Sequence, residues 1–282
     1  MKTRRATISI SGYHKEILRD IRYNVKRVVL HCNVEDIHRL RLDIKRIKAI
    51  YELLHSISPS KFNARTKAAY LKNIFSNTGA IRDMQVNKQR VRALKLPINI
   101  YKPYIRYMNN EISSKRGLLK IDFDSFDWHC FTYNELSINA LSKSLTKKEL
   151  QKAGLHFIGK RFKKIKKLNR KNAGNSDLHK IRKHIKEISA IAALLHKITP
   201  TGISKEFRQE IKVIGETMGV WHDNCLLILS MESFSKDYVK GNNKESAPME
   251  NSIGKMRKEN KKLAAEFRHG IRQALKVKFI DK

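Results

Sequence analysis

Residues 36–55 read DIHRLRLDIKRIKAIYELLH, and residues 177–196 read DLHKIRKHIKEISAIAALLH. The second segment follows the first by 141 residues (179 − 38), half the length of the 282-residue chain. Asp36, His38, Arg41, Ile44, Lys45, Ile47, Ala49, Ile50, Leu53, Leu54 and His55 all recur, as Asp177, His179, Arg182, Ile185, Lys186, Ile188, Ala190, Ile191, Leu194, Leu195 and His196. Apolar positions recur because a duplicated helix still has to pack. The recurrence of the histidine, arginine and lysine needs a different cause.

At about 100° per residue, with His38 set at 0°, Arg41 falls near 300°, Lys45 near 340° and Lys48 near 280°. Ile37, Leu40, Ile44, Ile47, Tyr51 and Leu54 occupy roughly 160–260°, the face a helix buries. The basic stripe therefore borders the core face instead of lying opposite it. In the second copy His179, Arg182 and Lys186 form the same stripe, and Ser189 stands where Lys48 stood. A solvated helix face usually mixes acids with bases, because pairs one turn apart stabilise the helix. This stripe meets no acid until Glu52, and it kept its cations while neighbours drifted, Leu42 to Lys183 and Asp43 to His184. Two related stripes facing one anion-binding cleft is the reading that accounts for both facts.

The composition supports an anionic partner. Sixty Lys and Arg stand against 26 Asp and Glu, a formal charge of +34, far beyond what solubility requires. Residues that are 41% hydrophobic suffice for a sizeable core. Three separated cysteines, Cys32, Cys130 and Cys225, form no C-x-x-C pair; they read as three buried thiols of a reducing compartment. The first 20 residues lack a continuous apolar stretch, and no run of about 18 apolar residues occurs, so a soluble cytoplasmic protein is expected.

Five prolines and 12 glycines separate long periodic stretches, which predicts an all-α chain. Helices are expected over 13–32, 34–57, 61–77, 81–93 and 104–119, with Ser58-Pro59 ending the second and Gly79 ending the third. Pro97 and Pro103 bracket a connection, and residues 121–130 read as an irregular link. The second half repeats the order. A basic helix over 155–168 is followed by the loop at 169–176, the repeated helix from 177 to Thr199-Pro200, and helices over 204–218 and 220–234 broken at Gly219. A polar loop over 240–252 precedes a last helix over 253–276. GAIRD at 79–83 corresponds to GVWHD at 219–223, so the glycines are expected to end helices and Asp83 and Asp223 to start the next. Two halves, 1–140 and 141–282, follow as tandem repeats of antiparallel helical hairpins.

Several chemistries lack their signatures. His38 and His179 have no second ligand at metal-binding spacing, and H-E-x-x-H is absent; the two rings either cap their helices or hydrogen-bond phosphate. His55 and His196 end the helix away from the stripe, where they complement its dipole. No phosphate-binding G-x-x-x-x-G-K-[ST] loop and no Mg²⁺-holding carboxylate cluster occurs, so neither catalysis nor a cofactor is expected. RNA or DNA binding is the alternative that the charge allows, but the usual aromatic or zinc-based recognition signatures are missing.

At these residues the chain resembles the CHAD family, the conserved-histidine α-helical domain. His38, Arg41, Lys45, Arg46 and Lys48 match the family's H-x-x-R-x-x-x-(R/K)-(R/K) helix; His179, Arg182 and Lys186 match its second copy, and GAIRD and GVWHD its turn. The resemblance covers about residues 10–280. It implies two pseudo-symmetric helical bundles with a basic central cleft or channel, binding of inorganic polyphosphate, and association with polyphosphate granules. It assigns phosphate contacts to the motif residues, to which Arg22, Lys26, Arg82 and Lys183 are added as basic neighbours. Glu187 and Ser189 depart from the family pattern, and His222 stands where the first half has Arg82. Lys160, Lys163 and Lys164 of the basic helix KRFKKIKK are expected to compensate.

Overall fold

The computed structural model describes residues 9–170, 174–199, 203–238 and 243–274, and among them every regular element is helical. In chain order these are α1 (Ile10–His31), α2 (Val34–Ile57), α3 (Ala64–Lys67), a 3-10 turn (Ala69–Leu71), α4 (Lys72–Arg92), α5 (Ile98–Asp124), α6 (His129–Lys143), α7 (Lys147–Leu168), α8 (Asn175–Ile198), α9 (Lys205–Tyr238) and α10 (Asn243–Ala274). The ends of α2 and α8 differ by 141 residues at both termini, the offset of the sequence repeat. Their last turns close alike. The Ser58 amide donates to the Leu54 carbonyl, the Thr199 amide to that of Leu195, and both residues have φ −138° with ψ of 75° and 78°.

The chain forms two compact units, and each draws on both sequence halves. The first comprises Met1–Lys72, Ser125–Gly215 and Gly270–Lys282; the second comprises Asn73–Asp124 and Glu216–His269. Halves and compact units are thus different divisions of the chain: α1, α2 and α6 to α8 fall in the first unit, and α5 with nearly all of α4 and most of α9 and α10 in the second.

In the first unit α1 packs on α2, α7 on α8, and α2 touches both α7 and α8. Ile37, Leu40, Ile44, Ile47, Tyr51 and Leu54 are fully buried, as are Ile181 and Ile188, with Leu178 and Ile185 nearly so. At Gly154 a methyl group would come within 2.5–2.9 Å of the Leu195 side chain, which would have to shift, so α7 meets α8 closely there. Carboxylates fasten the helices to one another. Asp36 accepts a 2.6 Å bond from Arg27 Nε of α1. Asp43 accepts from Asn24 Nδ2 of α1 at 2.7 Å and from Arg46 at 2.9 Å. Glu187 lies 2.7 Å from Arg161 of α7 and 3.1 Å from His184 Nδ1. Burial pushes the Glu187 carboxyl up, but His184, Arg161 and Lys183 together hold it below its ordinary value. His14 of α1 is buried beside Tyr51, its Nε2 3.4 Å from the hydroxyl. Asn134 of α6 donates to that same hydroxyl at 3.1 Å and to the Lys67 carbonyl at 3.0 Å.

The second unit is built on Val91, Ile100, Tyr104, Met108, Leu227, Met231, Phe234, Met249 and Ile253, which form one buried cluster. Tyr104 donates a 2.9 Å hydrogen bond to Ser230, and Asn260 donates to the Trp221 carbonyl at 3.2 Å.

Burial overrides several local signals. Gly79 and Gly219 lie inside α4 and α9, so Asp83 and Asp223 are interior helical residues, not helix starts. An interior glycine costs about 1 kcal/mol, which the packing of Ile74, Thr78 and Ile81 around Gly79 outweighs. Pro97 marks the entry to α5, its carbonyl accepting from Ile100 and Tyr101, while Pro103 is carried within the helix because Ile100, Tyr104 and Met108 all bury on one side. Pro248 is likewise inside α10, so residues 243–252 are helical and not loop; residues 240–242, Pro200 and 275–276 lie outside the described residues. The link expected over 121–130 shrinks to 125–128, and α6 had no sequence expectation. The start of α7 lies eight residues before the expected 155 because Thr146 and Glu149 form a reciprocal cap. Cys32 is buried but Cys130 and Cys225 are only half-buried.

Burial lowers the His14 pKa to about 4 from its ordinary 6.5. The unfolded imidazole therefore takes up a proton at a higher pH than the folded one, and stability falls as pH drops from 6.5 to 4. The loss is on the order of 3 kcal/mol, so His14→Gln is expected to flatten that part of the urea-denaturation profile. Glu187→Ala, which strands Arg161 and His184, is expected to cost about 1–3 kcal/mol. Glu35→Ala, which breaks an exposed pair with Arg39, is expected to cost less than about 1 kcal/mol by the same measurement.

Candidate functional site

The stripe on α2 is graded in exposure. His38 and Arg46 are exposed, whereas Arg41, Lys45 and Lys48 are half-buried. The Lys48 ammonium is held below its ordinary pKa by burial and then by Arg41. On α8 His179, Lys183 and Lys186 are exposed and Arg182 is half-buried. Burial and then Arg182 lower the His179 pKa. In both copies, therefore, cations sit close enough along the stripe to depress a neighbour.

Within the first unit lies a cavity of about 560 Å³. The stripe helix of each repeat contributes to it. From α2 come Leu42, Lys45 and Arg46; from α8 come Lys186, Ser189, Ala190, Ala192, Ala193, Leu194, His196 and Lys197. Tyr13 of α1 and Arg208, Ile211 and Lys212 of α9 complete the lining. Lys45 and Lys186, which occupy the same register of the two copies, thus line one cavity. Among the described residues, six Lys and Arg side chains line it and no carboxylate does.

Two of these cations are held in place by neighbours or by burial. Arg46 is tied to Asp43, whose carboxyl is raised by burial despite the opposing bonds from Asn24 and Arg46. Arg208 has a buried Nε with no hydrogen-bond partner among the described residues. Several guanidinium and ammonium groups lining one cavity suit a phosphate or another multiply charged oxyanion. Among the described residues no group of three or more His, Cys, Asp or Glu side chains is placed to hold a metal ion, and no helix is long and apolar enough to cross a membrane.

Of the residues singled out in the sequence, Lys45, Arg46 and Lys186 line this cavity; His38, Arg41, Lys48, His179, Arg182 and Lys183 lie on the same two helices outside its lining. Arg22 and Lys26 are exposed on α1, with the Arg22 guanidinium 5.9 Å from the Trp128 ring centroid. Lys160, Lys163 and Lys164 are exposed on α7, while their neighbour Arg161 is engaged by Glu187. Arg82 belongs to the second unit.

Lys197, Arg208 and Lys212 were missed. Lys197 returns to about the azimuth of His179 when the stripe is extended past Ser189, a signal that was present but not followed. His196 was assigned to the helix dipole, yet its side chain lines the cavity. Ser189, a departure from the expected cation, leaves room there with Ala190 and Ala193.

No curated protein sequence matches this chain. Among solved structures, the crystal structure of the CHAD domain from the plant Ricinus communis is similar at a TM-score of 0.75 and 13% identity, covering 98% of this chain and 95% of that one. PptA from Streptomyces chartreusis is similar at 0.64 and 10% identity, over 95% of this chain and 98% of that one. At such identities these likenesses speak for the fold alone. The CHAD domain profile matches residues 12–232, well over half the sequence, and the chain belongs to the CHAD domain family.

Proposed function

We propose that this chain binds inorganic polyphosphate without catalysis, gripping it with cations from both repeats and associating with cytoplasmic polyphosphate granules. The observation that carries the reading is the meeting of Lys45 and Lys186 in one cavity with Arg46, Lys197, Arg208 and Lys212, in a lining that holds no carboxylate among the described residues. A polyanion without bases asks for closely spaced donors and little more. The family's association with polyphosphate agrees with this chemistry. No carboxylate able to hold a catalytic metal ion lines the cavity among the described residues, in keeping with binding. His38, Arg41, Lys48, His179, Arg182 and Lys183 extend the cationic track along α2 and α8, and the exposed Lys160, Lys163 and Lys164 add long-range attraction that salt screens.

Calorimetric titration with long-chain polyphosphate at two salt concentrations tests this, with homopolymeric RNA as comparator. Lys45→Glu combined with Lys186→Glu is expected to weaken polyphosphate binding by about 100-fold or more and to flatten its salt dependence, with helicity unchanged by circular dichroism. Unchanged affinity in that double variant would move the site away from the cavity. Equal binding of RNA and polyphosphate, lost together as salt rises, would reduce the protein to a diffuse attractor of polyanions and favour the nucleic-acid alternative.

A further inference from the structure

The cations do not cover the cavity evenly. On α8, Lys186 and Lys197 stand about 16 Å apart along the axis, and the lining between them is largely apolar or small: Ser189, Ala190 and Ala193. Leu42 of α2 and Ile211 of α9 also line the cavity. Leu42 and Ala190 are half-buried and Ala193 is exposed, so this apolar surface is reachable from solvent. A bare phosphate chain gains nothing by lying on leucine and alanine, and loses hydration there. A volume of about 560 Å³ with a mixed apolar and cationic lining is of the size and character of a small-molecule pocket.

Resting on the reading of this cavity as an anion site, we propose that it also takes an organic polyphosphate, of the nucleoside triphosphate class. The phosphates lie among Lys45, Lys186 and Arg208, and the apolar face of the base lies on Leu42, Ala190 and Ala193. The chain then responds to soluble nucleotide as well as to polymer, with the two competing for one set of cations.

The test is calorimetry of the full chain, without divalent metal, against ATP and against inorganic triphosphate, followed by competition with long-chain polyphosphate. ATP is expected to bind about tenfold more tightly than inorganic triphosphate, the worth of about 55 Å² of apolar contact. Leu42→Ser is expected to remove most of that advantage and leave triphosphate affinity unchanged. Polyphosphate is expected to displace ATP. Triphosphate binding as well as ATP or better in the unmodified chain overturns the nucleotide assignment and leaves the anion site standing. Binding of neither, together with polyphosphate binding that ignores the Lys45 and Lys186 reversal, overturns both readings of the cavity.

Discussion

Packing α2 against α8 brings two rows of like charge into one folded unit, and the rest of that unit has to hold them there. Burial of Ile37, Leu40, Ile44 and Ile47 on one helix and Ile181, Ile185 and Ile188 on the other supplies the attraction. At roughly 1.5–3 kcal/mol for each buried aliphatic side chain, that attraction exceeds the repulsion of cations that keep contact with water. The stripes border the core face, so the same packing that hides the isoleucines sets the position of Lys45 and Lys186. Core and site are consequences of one helical register.

The few acids are placed to serve this arrangement. Asp36, Asp43 and Glu187 each sit at a helix contact and each takes an arginine, from α1, α2 and α7 respectively. Buried acids left without these partners would weaken the unit. With the partners in place, the acids neutralise charge at these contacts, and one of them, Asp43, holds the cavity-lining Arg46. Arg27 and Arg161 thus join neighbouring helices, while Arg46 is held along its own.

How much of this was legible depends on whether local or distant contacts decide each feature. The bounds of α2 were read correctly because Asn33 caps its start and Ser58-Pro59 follows its end, both local signals. Its core face followed from periodicity, and every residue assigned to that face is buried. Gly79, Gly219 and Pro103 misled, since each is a local breaker that the surrounding packing overrides, and the polarity of residues 240–252 hid the start of α10. The cavity was half legible. Lys45, Arg46 and Lys186 belong to the repeated motif, whereas Arg208 and Lys212 join them only because α9 returns beside α8, which no spacing in the sequence announces.

Gly154 gives the bundle one of its fixed dimensions. The distance between α7 and α8 is set there by the absence of a side chain, against the wall of Leu195. The exposed Lys160, Lys163 and Lys164 of α7 lie away from this contact, so they can change without altering the spacing beneath them, whereas a side chain at position 154 requires Leu195 to move. Surface charge and helix spacing are in this way set by different residues of the same helix.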